Sequence, residues 1–308
     1  MLQFLLARTV QIPIVLLGVS VLAFGMLHLS GDPVHYMLGS DATAEQVQQL
    51  RAEFGLDRPL YTQFAQFLGQ LASGNFGISI RFRQPALGLV LDRLPATLTL
   101  TLAAMAIAVL TAIPLGVLAA VRRGTAYDHA LMASTLLSQS MPSFWLGIML
   151  ILVFPVKLGV LYTGGWSGFR DWGHLVLPSL TLASFISARL IRLVRSSVTE
   201  TLRQEYMRTA EAKGLTGHRA VLKHGLRNAL IPITTLVGMD LGLLLGGATV
   251  TETIFAYPGM GQLVLQSVIA RDYPIVQATV LVVAALYSAV TLMVDATYVV
   301  LDPRVRRG

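Results

Sequence analysis

The chain has no cysteine among its 308 residues, which excludes disulfides, thiolate metal sites and cysteine nucleophiles. Charge is almost as scarce. Asp, Glu, Lys and Arg together make up 13% of the sequence, about half of the roughly one quarter found in soluble domains. No G-x-x-x-x-G-K-[ST] phosphate loop occurs, so no nucleotide site of that type is encoded. The histidines His28, His35, His129, His174, His218 and His224 form no H-E-x-x-H pair, which removes the helical zinc-protease motif. What remains is strongly apolar: 54% of residues are hydrophobic, and mean hydropathy is +0.66.

The apolar residues fall into six runs long enough to cross a hydrocarbon core of about 30 Å, which takes roughly 20 helical residues. They lie near Thr9–Leu29, Pro95–Val121, His129–Val156, His174–Val194, Ala229–Val250 and Pro274–Leu301. Inside lipid each run must be a helix, because no water is present to satisfy an unpaired amide. Pro13, Pro114, Pro142 and Pro178 are expected to kink or loosen these helices locally. The sequence therefore predicts an all-α, polytopic membrane protein with six transmembrane helices. The first run is longer than a signal-peptide core, and no small-x-small site follows before Gly31-Asp32-Pro33, so it reads as an uncleaved anchor.

The net charge of +7 does not form an exposed stripe. Its basic residues cluster at the ends of the apolar runs, which points to membrane orientation and not to nucleic acid. With the N-terminus inside, fifteen lysines and arginines fall on the inner side and eight outside, five of those eight in the long segment 31–94. Long segments carry little weight in this rule. The informative comparison is fifteen against three, and both termini are expected in the cytoplasm.

Two polar segments stand out. In 31–94, Thr43-Ala44-Glu45-Gln46 has the form of a capping box, with Val47, Leu50 and Phe54 on one face before Gly55. Pro59 suits the first turn of a second helix carrying Leu60, Phe64, Phe67 and Leu71. These helices either pack on the outer ends of the spans or receive an external partner. The inner stretch Ser196–Pro232 is basic and amphipathic. Leu202, Tyr206 and Ala210 recur on one side of a helix from Thr199, with Met207 alongside, while Arg203, Gln204, Glu205, Arg208 and Glu211 take the other. Gly214 followed by Leu215 reads as a Schellman-like ending, and Thr216 can cap a second short helix bearing Val221, Leu222 and Leu226. Such an elbow is either a docking surface or an interfacial helix that snorkels its arginines.

Two carboxylates, Asp240 and Asp295, fall within spans, where a charge costs about 2.5–3.5 kcal/mol on insertion scales. Asp240 lies in Gly238-Met239-Asp240-Leu241-Gly242, with Gly246 beyond. It lines a path or forms a buried pair with an arginine or backbone donor of a partner subunit. Asp295 reads as a structural partner for a nearby arginine. An alternative function, a proton-coupled secondary transporter, would use Asp240 and Asp295 as carriers, but no inverted repeat accompanies them.

The inner stretch Tyr206-Met207-Arg208-Thr209-Ala210-Glu211-Ala212-Lys213-Gly214-Leu215, with Lys223-His224-Gly225-Leu226-Arg227-Asn228-Ala229-Leu230-Ile231-Pro232, resembles the cytoplasmic loop of ABC importer permeases of the dipeptide, oligopeptide and nickel group. The likeness runs along nearly the whole chain. Its tags include Gly31-Asp32-Pro33, Phe54-Gly55-Leu56-Asp57-Arg58-Pro59-Leu60-Tyr61, Leu94-Pro95-Ala96-Thr97, Met141-Pro142-Ser143-Phe144, Tyr257-Pro258-Gly259-Met260-Gly261, Arg271-Asp272-Tyr273-Pro274 and Leu301-Asp302-Pro303-Arg304. One departure is that the family's Glu-Ala-Ala beginning is Arg208-Thr209-Ala210 here.

The resemblance implies a type I importer permease in the bacterial cytoplasmic (inner) membrane, not an enzyme. Residues 1–94 would hold the first span and an extracytoplasmic amphipathic segment. Residues 95–308 would form a five-helix core with a coupling loop at 196–228. The implied partners are a second homologous permease, two cytoplasmic ATPase subunits, an extracytoplasmic solute-binding protein and membrane lipid, with no nucleic acid. ATP and magnesium would sit on the ATPases, and this chain would bind no cofactor or metal and hold no catalytic residue. Coupling is expected at Leu202, Glu205, Tyr206, Arg208, Thr209, Ala210, Lys213 and Gly214. The translocation path is expected at Asp240, Gly238, Gly242 and Gly246, and at Glu252 in the last external segment. Dipeptides, oligopeptides, glutathione and nickel chelates all remain open as solute.

Overall fold

The computed structural model describes residues 2–29, 43–53, 57–166, 168, 172–212 and 221–301. For some helical residues within these ranges, Arg208 and Ala210 among them, only the backbone is described. The chain is helical. Among the described residues the only β feature is an isolated antiparallel bridge between Ile78 and Pro85.

The helices are α1 (Leu2–Leu29), α2 (Ala44–Glu53), α3 (Leu60–Ala72), α4 (Ala86–Val121), α5 (Ala126–Ser140), α6 (Ser143–Ile151), α7 (Gly173–Leu202), α8 (Glu205–Ala212), α9 (Arg227–Gly247), α10 (Thr249–Ile254), α11 (Met260–Ile269) and α12 (Tyr273–Leu301). Five of them, α1, α4, α7, α9 and α12, are long and apolar enough to cross a membrane.

A sixth crossing is available only if α5 and α6 count as one, and they are bent by 96° at a short break. The expected span His129–Val156 is thus broken at Pro142, one of the four prolines expected to kink a helix. The cause is local. Met141 precedes Pro142, whose ring pushes it out of the helical region. Met141 sits extended at φ −81, ψ 129, and Pro142 then serves as the N-cap of α6. The other proline-bearing spans stay continuous, with Pro13 inside α1 and Pro178 inside α7. After Ile151 the chain continues through a π-helical turn, Leu152–Lys157, that contains Pro155. At the second span, α4 begins at Ala86 and not at Pro95.

Two compact units are distinguished. One comprises Met1–Leu6, Ala96–Gln262 and Ala289–Gly308; the other comprises Ala7–Pro95 and Leu263–Ser288. The core of the first is a ladder of small residues on α4 at four-residue spacing, Ala104, Ala108, Ala112, Gly116 and Ala120. Its alanines cluster with Ile186, Leu190, Ile191, Val194 and Val198 of α7. A β-carbon at Gly116 would meet the Val194 side chain at 2.7 Å and the Ile191 carbonyl at 2.9 Å. Close approach of this kind holds membrane helices together, because lipid removes the hydrophobic drive between them and leaves dispersion packing.

In the second unit, Phe24 of α1 meets Phe64 and Phe67 of α3 with ring centroids 5.3 and 5.8 Å apart. The apolar face of α3 therefore packs on the first span. At α2 the capping box forms: Thr43 N–H donates to Gln46 Oε1 at 3.0 Å, and Gln46 N–H donates to Thr43 Oγ1 at 3.3 Å. The side chains of Val47, Leu50 and Phe54, and Gly55 itself, lie outside what is described.

Candidate functional site

The inner elbow differs from the continuous helix expected from Thr199. The span helix α7 runs to Leu202, and Arg203 and Gln204 turn the chain before α8 begins. Three backbone bonds close the turn: Arg203 N–H to Glu200 O, Gln204 N–H to Thr201 O and Met207 N–H to Gln204 O, at 3.0–3.2 Å. The four-residue recurrence was misleading because Leu202 belongs to the span, half-buried against its core. Met207 is the inward residue of α8 at 2% exposure, whereas Tyr206 is 42% exposed. Glu205 and Thr209 also face outward. Lys213, Gly214 and Thr216 lie outside the described residues, as do the side chains of Arg208 and Ala210. Beyond them a π-helical turn, Val221–Leu226, leads into α9.

Asp240 on α9 is buried and forms an ion pair with Arg189 on α7. The arginine is the chain's own, not a partner's. Arg189 also lies over the Phe185 ring, 5.8 Å from its centroid. One turn on, Arg192 Nη2 donates to Gln139 Oε1 at 2.6 Å. A further turn on, Arg195 grips Asp128 as a fork, with Nε to Oδ1 at 2.5 Å and Nη2 to Oδ2 at 2.7 Å. Asp128 also accepts from Gly124 N–H at 3.0 Å. Three arginines at three-residue spacing on α7 thus tie it to α5 and α9.

Gly238 is a packing residue, since a β-carbon there would run into Val294 of α12. Gly242 is buried and Gly246 is exposed. Asp295, next to Val294, is also buried.

Glu252 closes the second constellation. It lies on α10 with no exposed surface. One carboxylate oxygen accepts from Thr97 Oγ1 at 2.9 Å and the other from Gln262 N–H at 2.9 Å, and Gly261 N–H adds a further bond. Thr97 Oγ1 in turn accepts from Met260 N–H at 2.8 Å. Gly259 and Gly261 are required here, because a β-carbon at either would collide with the Glu252 carboxylate. Burial pushes the Glu252 carboxyl above its ordinary range, against the pull of its three donors. Tyr257, pressed edge-on against Trp166 with centroids 5.4 Å apart, is also pushed up by burial and then by the neighbouring carboxylate. The same knot takes in the loop before α7. Gly165 N–H donates to Phe255 O at 2.8 Å, His174 Nδ1 lies 2.6 Å from Gly164 O, and the His174 ring stacks on Tyr162.

Sequence reading did not anticipate Thr97, Gln139 or Asp128. A signal for Thr97 existed, because Leu94-Pro95-Ala96-Thr97 and Tyr257-Pro258-Gly259-Met260-Gly261 were both picked out as tags, and the structure brings them into contact.

Together these features define a helical, multi-span membrane protein with a helical elbow and a pinned loop assembly. Residues 112–307 match the family described as "Binding-protein-dependent transport system inner membrane component". Residues 1–101 match its N-terminal counterpart. The glutathione transport system permease protein GsiC of Escherichia coli (strain K12) is 40% identical over 307 residues, 99% of each chain. The dipeptide transport system permease protein DppB of the same strain is 38% identical over 336 aligned positions, again 99% of each. Among solved structures, an inward-facing form of the MetNI methionine ABC transporter aligns at a TM-score of 0.55 and 19% identity. It covers 70% of this chain and 96% of that one, a likeness of fold. The chain belongs to the family of binding-protein-dependent transport system inner membrane components, permease subunits of ABC importers and not enzymes. Nothing in these matches supports the proton-coupled alternative.

Proposed function

We propose that this permease carries a small peptide or a peptide-like solute such as glutathione, driven by ATP hydrolysis on separate subunits that grip α8. The observation that supports the coupling role is the build of α8: Met207 is sunk inward while Tyr206 faces out, with Thr209 exposed on the next turn. An eight-residue helix anchored in this way can pass a push to α7, which ends two residues before it. Arg208, Ala210, Lys213 and Gly214 complete the coupling segment in this reading, and residues 196–228 lie in the cytoplasm with both termini. Residues 1–94 form an extracytoplasmic lobe with its anchoring span, and residues 95–308 form the permease core.

The full assembly has a second homologous permease, two ATPases holding ATP and magnesium, and an external solute-binding protein. Asp240 and Gly246 lie along the path, and Gly238 and Gly242 keep its wall thin. Glu252 holds the external loop in place. The peptide class rests on the relatives' names. The test is reconstitution of all subunits in liposomes, with radiolabelled alanyl-alanine and glutathione offered in turn. Uptake should require ATP inside, the ATPases and the binding protein. Uptake by this chain without ATPases would refute the reading.

A further inference from the structure

Arg189, Arg192 and Asp240 leave one positive charge unbalanced within the span region of α7 and α9. Arg189 is paired with Asp240, but among the described residues the acceptor of Arg192 is the neutral Gln139 amide oxygen. Among the described residues two guanidinium nitrogens, Arg189 Nε and Arg192 Nη1, are buried without a hydrogen-bond acceptor, and the Asp240 oxygens have no partner beyond the Arg189 ion pair. The group is not sealed. The Arg189 side chain is 34% exposed, and it lies over the ring of Phe185, itself 44% exposed. A guanidinium within a span is disfavoured against hydrocarbon, so such a face turns toward water or protein.

We propose that Arg189 and Arg192 form an anion station on the translocation path that takes the carboxylate of the passing solute. The proposal rests on the permease reading above and narrows the solute to one bearing a carboxylate. A guanidinium pair with one resident carboxylate offers a second carboxylate charge balance and matching donors. Asp240 sets the strength: it cancels one of the two cations, so the solute is drawn in without being trapped. A phosphate on an anionic lipid has the same chemistry, and the test separates the two sources.

The chain's lack of cysteine allows a direct measurement. Phe185→Cys is placed in the complete importer, and labelling of this chain is followed with negatively and positively charged methanethiosulfonates. Vesicles are made of phosphatidylcholine alone or with phosphatidylglycerol. The negative reagent should react at least roughly ten-fold faster, the low end of what a focused local field gives. The preference should vanish in Phe185→Cys/Arg192→Gln and persist in both lipids. Alanyl-alanine should slow the labelling, and its C-terminal amide should not.

Equal rates for the two reagents would overturn the station. So would reaction with neither of them while a membrane-permeant maleimide labels the site. A preference seen only with phosphatidylglycerol would assign the group to lipid. ATP-driven uptake is measured on the same preparation: intact uptake with failed labelling strikes the station alone, and absent uptake strikes the permease reading.

Discussion

The hydroxyl of Thr97 and the carboxylate of Glu252, 155 positions apart in sequence, meet at 2.9 Å in a site closed to solvent. Through them the span helix α4 holds the loop that runs from α10 to α11. Glu252→Ala strips the acceptors from Thr97, Gln262 and Gly261. Each buried donor left unpaired costs about 1–3 kcal/mol. The detergent-solubilised variant should unfold several degrees earlier and be cut by protease within 255–262. Gly259→Ala should do the same by forcing the carboxylate aside. Unchanged melting and cleavage in both variants would show that the knot is dispensable.

The same carboxyl gives a pH dependence of definite sign. Its folded-state pKa is raised above the ordinary 4.5 by burial. The folded chain therefore keeps a proton that the unfolded chain has lost. This contribution to stability is fully present below about 4.5 and is lost as pH rises through the raised value. Glu252→Gln should flatten that part of the profile. An unaltered slope in the Gln variant would assign the dependence to another group.

Local signals were readable in the sequence, and pairings between distant segments were not. The capping box at Thr43 and Gln46 needed only four consecutive residues. The five long spans needed only unbroken apolar length. The break at Met141–Pro142 was visible as a proline, but the 96° it produces depends on what the two halves pack against. Nothing local told Arg189 to choose Asp240, or Arg195 to choose Asp128, because charge partners across helices are set by packing. The elbow failed for a related reason: a four-residue recurrence continues through a tight turn as easily as through a helix, so Leu202 was grouped with Tyr206.

The Arg195–Asp128 fork predicts an asymmetric mutant pair. Asp128 is 1% exposed and Arg195 is 26% exposed. Removing the arginine strands a buried carboxylate, at about 3–5 kcal/mol, whereas removing the acid leaves a guanidinium that can reach water. Arg195→Ala should lower the unfolding midpoint more than Asp128→Ala, and the double variant less than the sum of the two. Strict additivity in that cycle would mean that the two groups do not interact.

Helix packing can be tested at two glycines. Gly116→Ala sets a methyl against Val194 and the Ile191 backbone, whereas Gly18→Ala meets nothing within 4 Å. Overpacking of this kind costs about 1–3 kcal/mol. The first change should lower the melting temperature and the yield of folded protein, and the second should leave both unchanged. Equal behaviour would deny the close approach of α4 and α7.

The central claim is that force enters through α8 from a separate ATP-hydrolysing subunit. The most direct measurement follows ATP hydrolysis and solute uptake together in liposomes holding the whole importer, with Thr209→Arg or Ala210→Asp on α8. The account predicts that hydrolysis continues while uptake falls at least roughly ten-fold, which corresponds to about 1.4 kcal/mol of lost coupling. Uptake at the unmodified rate in both variants would contradict it.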